Sequence, residues 1–380
     1  MKRINFNITP CHPITMVDYL EQIKQFEDEI RKTQYNKATQ HHIGLVKAKI
    51  AKLREAHEKR QASKGGGQGY AVRKSGDATV VLLGYPSVGK STLLNKLTDA
   101  NSPVGAYAFT TLTVIPGLLE HKHAKIQILD VPGIVMGAAS GKGRGKEVLA
   151  IIRSADLIII LIDVNAPEHY RIIRKEVYDS HVRVNQSKPD VKIKKVARGG
   201  IKLGTTVKLT KIDPATIKSV MQEFKLNNAD VLIREDVSVD RFIDSIEANK
   251  HYIPAITVVN KIDMATNDQI KKVREKIKPD IMISAEQSFH INELKELIYK
   301  RLQFMNIYLK EPGKEADMKI PLVMKKASTI RDVCEKLHRD FVQKFKFSRI
   351  WGKSVKFSGQ KIIKLDHKLM DNDILELHLR

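Results

Sequence analysis

Gly84-Tyr85-Pro86-Ser87-Val88-Gly89-Lys90-Ser91 has the G-x-x-x-x-G-K-S spacing that wraps backbone N–H groups around a phosphate chain. Its glycines let the chain turn inward around an anion, and a helix beginning at Lys90 and running through Thr92 adds the partial positive charge of its N-terminus. In that role Lys90 reaches the outer phosphates, and the Ser91 hydroxyl is a ligand for Mg2+. The loop serves ATP and GTP alike, so the choice of base has to come from elsewhere.

Asn260-Lys261-Ile262-Asp263 supplies it, at the end of a strand-like run. A carboxylate at Asp263 accepts from both N1 and N2 of guanine, a donor pair that adenine lacks. Asn260 ties this loop to the phosphate loop, and the stem of Lys261 covers the plane of the base. Ser284-Ala285-Glu286 follows the next strand and can offer a backbone N–H to guanine O6. Between the two regions, Asp130-Val131-Pro132-Gly133 ends another strand. There it sets Asp130 near Mg2+ and gives Gly133 an N–H that senses a γ-phosphate. A threonine of the loop from Ala108 to Thr113 could bring a third oxygen to the metal when that phosphate is present. The glycine-rich segment 137–145 has the composition and position of a switch. The predicted catalytic residues are Lys90 and Gly133 with a loop threonine, and the predicted metal ligands Ser91 and Asp130 with the same threonine, which the resemblance given below identifies as Thr111. Thr210-Lys211-Ile212-Asp213 also fits a relaxed base-reading tetrad. It precedes Pro214, however, and Asp213-Pro214 reads as a helix N-cap followed by proline at the first helical position.

Strands at 79–83, 126–129, 157–162, 255–259 and 281–283 alternate with helices at 90–97, 146–154 and 291–309, the pattern of a mostly parallel α/β sheet. The distance from Asp130 to Asn260 exceeds what one helix, one strand and another helix need, so residues 168–245 read as an inserted α+β subdomain with a basic start. Residues 17–60 keep helical spacing in two runs separated by a polar turn, and five residues from Gly65 to Gly69 form a hinge. Residues 317–380 read as strand (318–324), helix, then short strands ending at 374–379, the order of a ubiquitin-like β-grasp. Four parts are expected: a helical hairpin (1–64), a P-loop domain (65–167 and 246–312), the insert (168–245) and the β-grasp unit (317–380). Phe341, Phe345, Phe347 and Trp351 alternate with cations, which suits either the core of a small domain or a surface that stacks RNA bases; core is the favoured reading.

The formal net charge of +23 over 380 residues points to a polyanionic partner, ribosome or RNA before membrane. Both ends are basic: residues 1–75 hold 15 Lys and Arg against 7 Asp and Glu, and residues 317–380 hold 15 against 8. Two cysteines make neither a disulfide framework nor a metal site, and no apolar run is long enough to span a bilayer. His41-His42 and His121-x-His123 lack ligand partners at metal spacing. A cytoplasmic chain without DNA specificity is expected.

Taken together these motifs resemble the developmentally regulated GTP-binding proteins, a branch of the Obg superfamily of GTPases, over almost the whole chain, with an archaeal member as the nearest type. Thr33-Gln34 with Asn36-Lys37-Ala38-Thr39, Gly141-Lys142-Gly143-Arg144-Gly145, Val333-Cys334 and Trp351-Gly352 extend the match beyond the nucleotide motifs. The resemblance implies that the C-terminal unit is a TGS domain, and that the chain is a GTPase switch tied to ribosomes and translation, with a protein regulator in some lineages. It assigns Thr111 as the switch threonine and Ser91 as the Mg2+ serine. Ile134 stands where small GTPases keep a water-orienting glutamine, which implies slow intrinsic hydrolysis. Met136 replaces a usual acidic residue. Ser87 stands where K+-using relatives carry Asn, so dependence on K+ is left open. The alternative is a GTP-gated ribosome- or RNA-binding assembly factor with negligible hydrolysis.

Overall fold

The computed structural model describes residues 16–34, 36, 39–63, 76–98, 115–131 and 145–380. In chain order its elements are helices α1 (Met16–Lys32) and α2 (Gln40–Ser63), strand β1 (Ala78–Leu83), α3 (Lys90–Leu97), β2 (Ile115–His121), β3 (Ala124–Asp130), α4 (Gly145–Ser154), β4 (Leu157–Asp163), α5 (His169–Asp179) and β5 (Val182–Val184). There follow β6 (Val191–Lys195), β7 (Ile201–Thr205), α6 (Pro214–Glu223), β8 (Ala229–Ile233), α7 (Val239–Glu247), β9 (His251–Ile253), β10 (Ala255–Asn260), α8 (Asn267–Ile277), β11 (Ile281–Met282) and α9 (Ile291–Leu302). The chain ends with β12 (Phe304–Lys310), β13 (Leu322–Lys325), α10 (Ile330–Leu337), α11 (Arg339–Lys344), β14 (Phe345–Trp351), β15 (Gln360–Ile362) and β16 (Asp373–Leu379). Two compact units result: residues 1–69 with 187–250, and residues 70–186 with 251–380.

The larger unit is built on a six-stranded sheet in the order β11-β10-β4-β1-β3-β2, parallel except for β2. β1 shows why it sits at the centre. Val81 and Leu83 face the core formed with α4, α5 and α8, whereas Val80 and Leu82 face the core formed with α3 and α9. A strand buried on both faces has to be apolar throughout, as this one is. The antiparallel edge strand β2 was not expected; it turns into β3 through Lys122 and His123, both at positive φ as a two-residue hairpin requires.

A second sheet, β13-β12-β16-β14-β15, closes over α10 with Ile307, Val333, Cys334, Ile350 and Leu375 in its core. This is the β-grasp arrangement, and two boundaries differ from expectation. The helix expected to reach residue 309 stops at Leu302, because Gln303 takes a left-handed conformation and the next residues bury alternate side chains, Met305 and Ile307, as a strand does. The strand expected over 318–324 is confined to β13. Lys336 pairs with Asp77 and Lys325 with Asp156, each at 2.5 Å, which joins the β-grasp to the starts of β1 and β4.

In the smaller unit, Ile23 of α1 meets Val46 and Ile50 of α2, and the other side of α2 packs on α6 and α7 through Ala48. A Cβ on Gly44 would stand 2.7 Å from Thr216 Cγ2, so glycine permits that approach. The Thr33 to Thr39 motif is a cap: Thr33 Oγ1 donates to Glu29 O at 2.8 Å, and Asn36 and Thr39 exchange side-chain-to-backbone bonds of 3.0 and 2.9 Å. Three cations of α2 are paired, Lys47 with Asp240, Lys52 with Glu223 and Arg54 with Glu27. The insert also starts later than residue 168, since Ile173 and Val177 of α5 lie in the core of the large sheet.

Candidate functional site

Those of the predicted residues that are described gather at the C-terminal ends of β1, β3 and β10 and just beyond β11, where an open α/β sheet places its ligand crevice. The loop from β1 to α3 is held in shape by close contacts. A Cβ on Gly84 would lie 2.8 Å from Leu161 O, so β4 leaves no room for one. Gly89 has φ 96° and caps α3; a Cβ there would stand 2.5 Å from Asn260 Nδ2. Ser87 is exposed at φ 61°, a conformation that Asn adopts more readily than Ser. Pro86 is likewise exposed and Val88 buried. Thr92 lies in the first turn of α3.

Lys90 is 8% exposed and its Nζ donates to Gly84 O at 3.1 Å and Tyr85 O at 3.0 Å. The ammonium is thus folded back over the loop, its charge held by neutral carbonyls. Burial pushes its pKa down, and the negative charge of Asp130 only partly offsets that. The lowered pKa means that the folded chain prefers neutral Lys90 more than the unfolded chain does, so this group costs stability at neutral pH and the cost fades as pH rises through its folded pKa. A phosphate beside it reverses the preference. GDP affinity is therefore expected to be full below the pKa of free Lys90 and to fall above it, with proton uptake on binding in that alkaline window. Calorimetry in buffers of different ionisation enthalpy measures the uptake; none across the window would contradict this.

Ser91 Oγ donates to Asp130 Oδ2 at 2.8 Å. Asp130 is 6% exposed and its other oxygen, Oδ1, is buried with no hydrogen-bond partner among the described residues. An orphaned carboxylate oxygen beside a hydroxyl, both hard oxygen donors, fits a divalent cation such as Mg2+. Thr111 and Gly133, with Ile134 and Met136, lie outside the described residues.

The side predicted to read the base is organised by one buried amide. Asn260, 2% exposed, donates through Nδ2 to Val88 O at 2.9 Å and accepts at Oδ1 from Ala285 N–H at 2.9 Å. One side chain thereby ties the phosphate loop, the end of β10 and the Ser284-Ala285-Glu286 turn together. Of the three backbone N–H groups of residues 284–286, one of which is expected to serve guanine O6, that of Ala285 is donated to Asn260 in this arrangement. Ser284 is buried and Glu286 exposed. Asp263 stands exposed in a single 3-10 turn.

Two neighbours were missed from sequence. Asp163, at the end of β4, accepts from Lys261 Nζ at 2.7 Å and from Asn165 N–H at 2.9 Å, which fixes the lysine beside the base loop. Asp163→Asn keeps a side chain that can hold Asn165 but removes the charge. It is expected to speed GDP release about threefold, the scale of a part-exposed ion pair, with the difference shrinking in high salt; stopped-flow release of labelled GDP would show it. Tyr85 stacks on His169 of α5, with ring centroids 3.8 Å apart and planes 9° apart. An aromatic inside the phosphate loop with a histidine in α5 was the only available signal.

Asp213 takes no part in this site. Its carboxylate caps α6, accepting from Thr216 N–H and Oγ1 at 2.7 Å each. Burial alone would raise its pKa, but the Thr216 and backbone hydrogen bonds outweigh that and hold it below the usual range. The histidine pairs are engaged locally, His42 with Glu29 and His121 with Glu296. No group of three potential metal ligands occurs among the described side chains of His, Cys, Asp and Glu. No described helix is long and apolar enough to cross a membrane.

A family model described as a 50S ribosome-binding GTPase matches residues 79–195, one described as the C-terminal region of the MMR_HSR1 domain matches residues 198–304, and one described as a TGS domain matches residues 305–379. An uncharacterized GTP-binding protein of Methanocaldococcus jannaschii is 53% identical over 364 residues, covering 95% of this chain and 93% of its own. Developmentally-regulated GTP-binding protein 1 of Xenopus laevis is 42% identical over 362 residues, covering 94% and 98%. Developmentally-regulated G-protein 3 of Arabidopsis thaliana is 41% identical over 367 residues, covering 95% and 99%.

Proposed function

Because this chain belongs to the developmentally regulated GTP-binding protein family of GTPases, we propose that it is a slow, Mg2+-dependent GTP switch acting on ribosomes or RNA in the cytoplasm. The observation that carries the switch chemistry is the Ser91–Asp130 pair with its orphaned oxygen, set beside the Asn260 tie between the phosphate and base loops.

In this reading residues 84–92 wrap the phosphates, and Lys90 turns its ammonium from the carbonyls of Gly84 and Tyr85 to the β- and γ-phosphate oxygens. Ser91, Asp130 and Thr111 would hold Mg2+, whose charge neutralises those oxygens when it is bound. Gly133 offers its N–H to the γ-phosphate. Water attacks the γ-phosphorus in line, and Lys90 with the loop N–H groups stabilises the charge that moves onto the leaving GDP. Asp263 accepts from guanine N1 and N2, the Lys261 stem lies over the base, and residues 284–286 wall its edge. Ile134 has no polar atom with which to orient the attacking water, which supports slow turnover.

A partner rich in phosphate is supported by the net charge of +23 and by the ribosome-binding description of the matched family model. GTP turnover by the full chain, alone and with ribosomes, in K+ and in Na+, tests this. Weak basal hydrolysis raised by ribosomes is the expected result. No hydrolysis under any condition, with guanine nucleotide still bound, would replace the enzyme by a GTP-gated assembly factor. Equal rates in both salts would fit Ser87 in place of Asn.

A further inference from the structure

The connection from β4 to α5, residues 163–169, touches both halves of the candidate nucleotide site. Its own hydrogen bonds stiffen it: Asp163 Oδ1 accepts from Asn165 N–H at 2.9 Å, Asp163 O from Ala166 N–H at 3.0 Å, and Ala166 O from His169 N–H at 3.3 Å. Val164 N–H donates to Asn260 O at 3.1 Å, which fixes the connection to the end of β10. Two side chains reach out from this base. Asp163 holds Lys261 of the base loop, and His169 lies flat against Tyr85 of the phosphate loop.

Position 85 is unspecified in the G-x-x-x-x-G-K-S spacing, so phosphate binding by itself calls for no ring there. The ring is nonetheless held. Its centroid lies 3.8 Å from that of His169 with the planes 9° apart, and Tyr85 also packs on the core shared by α4 and α5. Among the described residues neither the imidazole nitrogens nor the Tyr85 hydroxyl has a hydrogen-bond partner, so the contact is one of ring faces. The main chain of the same tyrosine serves the lysine: Tyr85 O accepts from Lys90 Nζ at 3.0 Å. Pro86 confines the Tyr85 backbone to extended conformations, so a ring that cannot swing keeps its carbonyl still.

We propose that His169 is a positioning residue for phosphate binding: by stacking on Tyr85 it fixes the loop backbone there and, through the Tyr85 carbonyl, the place of the Lys90 ammonium. This rests on the reading above in which Lys90 serves the β- and γ-phosphates. The β4–α5 connection is then a brace with two arms, Asp163 for the base loop and His169 for the phosphate loop. Its stack is separate from the Asn260 side-chain tie, which joins the same loops from within. A loop and a long lysine already ordered before a phosphate arrives need little further ordering on binding, which is the source of the gain in affinity.

Release of labelled GDP by stopped flow, and single-turnover hydrolysis of bound GTP, are compared in the full-length native chain, His169→Leu and His169→Phe. Leucine fills a similar volume without a ring, and phenylalanine keeps the ring. His169→Leu should speed GDP release about fivefold, the scale of one aromatic pair beyond its buried area. It should slow hydrolysis of bound GTP by about the same factor, because the lysine it misplaces also holds the charge that moves onto the leaving GDP. His169→Phe should bring both to within about twofold of the native values. His169→Gln, polar and without a ring, should match His169→Leu and replaces it if the leucine variant does not fold. A role in stability alone would lower the thermal midpoint of the ringless variants and leave hydrolysis of nucleotide already bound unchanged. That result, native release rates in the ringless variants, or phenylalanine behaving as leucine does would overturn the proposal. If the native chain binds GDP but hydrolyses no GTP, the switch reading fails, and the release rates of the leucine and phenylalanine variants still decide the role of His169.

Discussion

Asp263→Asn is expected to invert the base preference, with GTP affinity falling about 100-fold or more and xanthosine triphosphate becoming the better ligand. The carboxylate is exposed in its turn and can accept two protons from guanine. Each charge-assisted hydrogen bond contributes about 1.5–3 kcal/mol, so losing the pair exceeds two factors of ten. An amide at that position donates to the carbonyl that xanthine carries where guanine has an amino group. Competition of the two triphosphates against labelled GDP reads the ratio. The rival carboxylate, Asp213, is already committed to capping α6, so it cannot take over the reading without unwinding that helix end. Undiminished guanine preference in the variant would remove Asp263 from the site.

The second large effect concerns Asn260. Replacement by Asp keeps the shape and the acceptor for Ala285 N–H, but it turns the bond to Val88 O into a carboxylate facing a carbonyl in a side chain 2% exposed. An unsatisfied buried acceptor costs about 1–3 kcal/mol, and an uncompensated buried charge more. GDP affinity should drop by about 100-fold or more, and the thermal midpoint by several degrees. The comparison is Asp163→Asn, which touches the same loop from its exposed side and should cost only about threefold. Equal effects from the two would mean that the amide does not tie the loops together. Gly89→Ala attacks the same bond from the other end, since its Cβ would meet Asn260 Nδ2.

The phosphate loop, the Asp130 strand end and the base tetrad were legible because each is a short run whose chemistry is carried by contiguous residues next to a strand. The same property made Asp213 readable as a cap, through the proline that follows it. What sequence did not show depends on distant partners. Asp163 and His169 matter only through Lys261 and Tyr85, roughly a hundred residues away in the first case. Strand β12 reads as part of the preceding helix because Phe304 to Lys310 satisfies either period, and only the left-handed turn at Gln303 separates the two. Within the C-terminal unit, spacing alone could not say which of four aromatics face inward. The sheet puts Phe341 and Phe345 against the core and Phe347 and Trp351 on the far side, so the favoured core reading holds for two of the four.

Co-sedimentation of the full chain with ribosomes, with GDP or with a non-hydrolysable GTP analogue, tests the switch most directly. A switch that exchanges contacts with a large anionic partner should pellet about tenfold more with one nucleotide than with the other at moderate salt, a shift requiring only a modest difference in affinity between two states. The same amount pelleted with both nucleotides, or none with either, would contradict a GTP-controlled action on ribosomes.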